Sequence, residues 1–103
     1  MASTIDFVEY VCDCIAGCGH IRYRKMFGEY LVYVDDKPIF LVCDNQVFVK
    51  DFPLLKSVLV NVSMASPYPG AKMHYLLDAD DRDMLRLVVV TILPIVPVKI
   101  SKR

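Results

Sequence analysis

A chain of 103 residues has the length of one domain, enough to bury a core without staples. Its twelve cations and twelve anions cancel to zero formal charge, which excludes the overall basic surplus that generic nucleic-acid binding demands. Hydrophobic residues make up 55% and mean hydropathy is +0.41, so some apolar side chains are expected at an interface with a partner.

Ser3 and Thr4 are N-cap residues, and Asp6 follows in a first turn where the helix dipole favours an anion. Phe7, Val8, Val11 and Ile15 fall on one stripe, with Asp6, Glu9 and Asp13 opposite, so a helix is predicted to about residue 16. Gly17 and Gly19 end it. Strands are predicted over 20–27, 30–34, 37–43 and 46–50, with Gly28 as a bulge or corner. Asp35-Asp36 and Asp44-Asn45 are turns short enough to make these strands an antiparallel meander. Asp51-Phe52-Pro53 opens a second predicted helix, capped by Asp51, with Leu54, Leu55, Val58, Leu59 and Val62 as its buried stripe. Residues 66–70, Ser-Pro-Tyr-Pro-Gly, form a loop. A fifth strand is predicted over 73–77. Asp78 is expected to cap a last helix that runs to about residue 93, where Pro94 stops it.

The element order is α-β-β-β-β-α-β-α, an α+β domain with one antiparallel sheet of about five strands. The domain is placed at 1–94 and an extended, weakly basic tail at 95–103. The strands 30–34 and 39–43 do not alternate apolar with polar residues, so both sheet faces read as apolar. Helices cover one face. A second copy of the chain is the simplest cover for the other, and a homodimer through the sheet or through the wide last helix is expected.

The N-terminal stretch carries no secretory signal. The apolar run 87–98 holds Pro94 and Pro97 and falls short of the about 20 residues of a membrane span. The four cysteines then read as free thiols in the cytoplasm.

Arg24-Lys25-Met26-Phe27-Gly28 with Tyr30, Asp6-Phe7-Val8, the hairpin Val34-Asp35-Asp36-Lys37, the strand Val47-Phe48-Val49-Lys50 and Pro67-Tyr68 together resemble the TfoX N-terminal domain family. The resemblance covers most of the chain, and its most specific part runs from Lys25 to Gly28. It implies a small two-layer α+β fold similar to type III secretion chaperones, often dimeric. It also implies a role in transcriptional regulation of competence genes through partner proteins, with no catalytic residues. The chain would be a stand-alone N-terminal domain, with Asp36 where the family often has glycine. Arg24, Lys25, Met26, Phe27, Gly28 and Tyr30 are the family-motif residues expected to dock a protein.

Arg22, Arg24 and Lys25, interleaved with Tyr23, Phe27 and Tyr30, form an alternative nucleic-acid platform. A charged strand edge that discourages edge pairing is favoured over it. Cys12, Cys14, Cys18 and His20 carry metal-ligand chemistry. Residues two apart on a helix project about 200° apart, however, so the spacing fits no standard site. His74 reads as structural. Asp78, Asp80, Asp81 and Asp83 read as caps rather than a calcium loop. No nucleophile motif or phosphate-binding loop is present in the sequence, so a non-enzymatic chain without a cofactor is expected.

Overall fold

A computed structural model of the chain describes residues 4–26 and 29–97. Thr4 caps α1 (Ile5–Cys14), its Oγ1 accepting from the Phe7 N–H at 3.2 Å; Ser3, the other candidate cap, lies outside the described residues. The chain turns back through Gly19, where a Cβ would come within 2.8 Å of the Val34 side chain. Only glycine admits that approach.

β1 (Ile21–Met26), β2 (Glu29–Val34), β3 (Lys37–Cys43) and β4 (Gln46–Val49) follow as the expected antiparallel meander. Asp35 and Asp36 have φ of 52° and 64°, and Asp44 and Asn45 both have 55°. Both hairpins therefore turn through two left-handed residues, the geometry that matches strand twist. Asp and Asn tolerate it because their short polar side chains bond locally. The Asp35 carboxylate accepts from the His20 N–H at 2.8 Å.

The sheet bulges on β3. Val32 pairs with Phe40 and Tyr33 with Pro38, so Ile39 is the extra residue. A proline survives in this internal strand because the bulge disrupts the ladder beside it. The bulge expected at Gly28 lies outside the described residues.

The predicted second helix is corrected by the structure. Residues Pro53–Lys56 make one 3-10 turn, η1, opened by Phe52 without a side-chain cap; Asp51 is not the cap. Leu59 N donates to Leu55 O, but no regular helix continues. Ser57, Val58, Val60, Asn61 and Val62 explain this, since β-branched and backbone-competing residues disfavour helix. Leu55 and Leu59 are still buried, whereas Leu54 is 50% exposed.

A two-residue strand absent from the sequence reading, β5 (Met64–Ala65), pairs with β6 (His74–Leu77). The sheet has six strands in the order β1-β2-β3-β4-β6-β5, all pairs antiparallel. α2 (Arg82–Ile92) closes the fold. Its N-cap is Asp81, whose Oδ1 accepts from the Met84 N–H at 3.1 Å. Asp78, the expected cap, instead accepts from the Asp80 N–H one turn earlier.

The architecture is α+β, with α1, α2 and η1 supplying the non-sheet layer. The core lies between the helices and one sheet face: Val8, Val11, Ile15, Leu85, Val89 and Ile92 meet Val32, Val34, Phe40, Val42, Val47 and Val49. After α2 the chain makes another turn, in which Val96 N donates to Ile92 O and Val96 is buried in the core. Val96 is thus packed onto the domain while Ile95 stays exposed; 98–103 of the expected tail lie outside the described residues. No helix among the described residues is long and apolar enough to cross a membrane.

Candidate functional site

Register fixes where each β1 side chain goes, because paired residues share a face. Ile21, Tyr23 and Lys25 stand opposite Val34, Val32 and Tyr30, on the helix side. Arg22, Arg24 and Met26 stand opposite Tyr33, Leu31 and Glu29, on the far side. Arg22 and Arg24 are thus separated from Lys25, as alternation requires.

Arg22 is engaged within the fold. Its Nε donates to Asp36 Oδ1 at 3.0 Å, and its guanidinium lies 5.3 Å from the centroid of the Tyr33 ring. This arrangement roofs Tyr33 on the far face. Arg24 and Lys25 are exposed on the edge strand, while Met26 is half-buried. Tyr30 is 3% exposed and meets Tyr23 edge-on at 5.7 Å, so it belongs to the core rather than to a docking surface. Phe27 and Gly28 lie outside the described residues.

The cysteine cluster does not converge. Cys14 is buried, its Sγ donating to Ala79 O at 3.7 Å, while Cys12 and Cys18 are half-buried. The His20 backbone is held by Asp35. Among the described residues, no three His, Cys, Asp or Glu side chains are placed to hold a metal ion. Burial, with Asp13 and Glu9 adding, pushes the Cys12 thiol up to about 11. A thiol held protonated is a poor nucleophile and a poor ligand. In the acidic run 78–83, Asp81 caps α2, Asp78 accepts from the Asp80 N–H in the turn before it, and Asp80 Oδ1 accepts from the Tyr10 hydroxyl at 2.8 Å.

The far face of the sheet carries a second set of apolar side chains. Phe48 is only 2% exposed yet stands outside the main core. It pairs with Leu41 and Leu76, and Leu41 pairs with Leu31. Among the described residues, no helix covers this side. The loop between β5 and β6 lies along it instead, held by Ser66 Oγ bonds to the Tyr68 and Ala71 carbonyls and by the Cys43 thiol donating to Pro67 O at 3.0 Å. Between loop and sheet runs a groove of about 680 Å³. Its apolar lining includes Met26, Leu31, Leu41, Phe48, Phe52 and Tyr68, and Glu29, Lys50, Lys72 and His74 are among its polar lining. The sequence reading missed this grouping because Lys50 meets Lys72 and His74 only through the register of β4 with β6. The chain's own loop lies along part of the face for which a second copy was the expected cover.

On the helix layer, α2 turns Leu85, Val88, Val89 and Ile92 inward. Leu87 and Val90 face outward, 48% and 65% exposed. Asp83, Leu87, Val90 and Pro94 follow helical spacing and form one exposed stripe. η1, with exposed Leu54, packs against α2.

No family model matches the sequence. The chain is 33% identical over 78 residues to the uncharacterised 12.7 kDa protein of the trpE 5′ region of Spirochaeta aurantia, covering 76% of this chain and 68% of that protein.

Proposed function

The chain belongs to the family of that 12.7 kDa Spirochaeta aurantia protein, and we propose that it is a non-enzymatic, cytoplasmic protein-interaction module that works as a homodimer. The observation that carries this reading is the outward stripe of α2, where Leu87 and Val90 leave large apolar side chains in water. A two-fold axis beside α2 would pack the same stripe of two copies together, the usual arrangement of small homodimers. Of the two dimer surfaces the sequence suggests, α2 is the better supported, because the far sheet face already has a loop over part of it. Arg24 and Lys25, exposed on the edge strand, are assigned to a further protein partner. The resemblance to the TfoX N-terminal domain supports a place in transcriptional regulation. Hydrogen exchange at two protein concentrations tests the dimer surface: protection of α2 amides should rise with concentration. Equal exchange across micromolar concentrations would remove this surface.

A further inference from the structure

We propose that the groove on the far sheet face is a binding site for a medium-chain amphiphilic anion, its apolar chain along Leu31, Leu41 and Phe48 and its carboxylate beside the ammonium groups of Lys50 and Lys72. A volume of about 680 Å³ lies within the range of small-molecule sites, which are mostly apolar with a few convergent polar groups. The groove has that composition.

Its charge is arranged along its length. Val49 pairs with Tyr75, so one further step along the antiparallel ladder sets Lys50 opposite His74, on the face of Phe48. Lys72 precedes His74 on the same rim. The His74 ring nitrogen Nδ1 lies 2.8 Å from Lys72 O. A carbonyl only accepts, so Nδ1 donates to Lys72 O and fixes the ring on the rim beside the two lysines. Among the described residues, no ion pair engages Lys50 or Lys72. Glu29 stands at the other end of the strands, within reach of Cys43 Sγ at 3.8 Å. It repels a carboxylate there and so sets the direction in which an anion lies. The cations reach water along flexible stems while the apolar floor excludes it, which suits a chain with one charged head.

Titration of the full chain with decanoate, decanol and decyltrimethylammonium, followed by calorimetry and amide chemical shifts, tests the site. Decanoate should bind saturably at one site, shifting Leu41, Phe48 and His74, and decanol should bind at least about tenfold more weakly, because a charge-assisted hydrogen bond is lost. The surface variant Lys50→Gln/Lys72→Gln should bring decanoate down to the affinity of decanol and leave decanol unchanged. The proposal is overturned by the absence of saturable decanoate binding, by equal binding of decanol or the cationic analogue, or by a double variant that binds decanoate as the parent does. A groove that takes an acidic aromatic peptide and rejects decanoate also overturns it. The dimer surface on α2 is untouched by any of these outcomes.

Discussion

Arg86 of α2 donates from Nη1 to the carbonyl oxygen of Ala16 at 2.8 Å, just beyond the end of α1. The same nitrogen donates to Cys14 O at 3.2 Å. α1 has no basic residue in its last turn, so its terminal carbonyls take a cation from the neighbouring helix instead. Arg86→Ala should cost about 1.5–3 kcal/mol, the worth of a hydrogen bond to a charged group. Arg86→Lys should recover part of that, since an ammonium lacks the guanidinium fork. Urea unfolding measures both, and a loss below about 0.5 kcal/mol for the alanine variant would show that the contact holds nothing together.

The caps of α2 give a rank order. Asp81 bonds the Met84 N–H inside the helix, whereas Asp78 bonds only the turn before it. Asp81→Ala should lose about 1 kcal/mol and Asp78→Ala less. Thermal melts that reverse the order would contradict the cap assignment.

Asp36 sets two effects against each other. Its left-handed φ of 64° costs a non-glycine residue roughly 1 kcal/mol or more. Its ion pair with Arg22 is about half exposed on both sides, and such pairs contribute only about 0–1 kcal/mol. Relief of the backbone should therefore win, so Asp36→Gly is predicted to be neutral to about 1 kcal/mol stabilising. A loss above about 1 kcal/mol in chemical denaturation would mean that the Arg22 pair dominates.

Stability should fall at alkaline pH. The Cys12 thiol rises from 9.0 to about 11 on folding, mainly by burial. A folded pKa above the unfolded one gives a contribution that is full below about 9 and lost as pH rises through about 11. Tyr10, pushed up to about 12 chiefly by its hydrogen bond to Asp80, extends the loss higher. Tyr23 and Tyr75 are raised as well, burial being the largest cause in each. Melting temperature followed against pH should drop across this window, and Cys12→Ala should make the drop shallower. An identical profile in the variant would rule Cys12 out as a contributor.

Periodicity and turn chemistry made much of this fold legible. Thr4, the two acidic hairpins and the apolar runs around them specify α1 and the meander, because those signals are local. Where local preference and tertiary packing diverge, the reading fails. Leu55 and Leu59 keep helical spacing and are buried, but Val58, Val60 and Val62 hold the segment out of helix. β5 is too short to show any period, and it exists only because β6 offers it an edge. The strand 37–43 is legible despite Pro38, and what the sequence does not show is the extra residue Ile39 that lets the proline stay there. The exposed stripe of α2 was legible as a helix too wide for one buried face. The groove was not, since Lys50 and His74 are far apart in sequence and meet only across a strand pair.

Sedimentation of the wild-type chain beside Leu87→Lys/Val90→Lys tests the proposed module most directly. Both side chains are exposed in the single chain, so the substitutions should leave the fold of that chain unchanged, as its circular dichroism would show. The wild type should sediment as a dimer at micromolar concentration and the double variant as a monomer. A wild type that stays monomeric, or a double variant that still dimerises, would contradict self-association through α2.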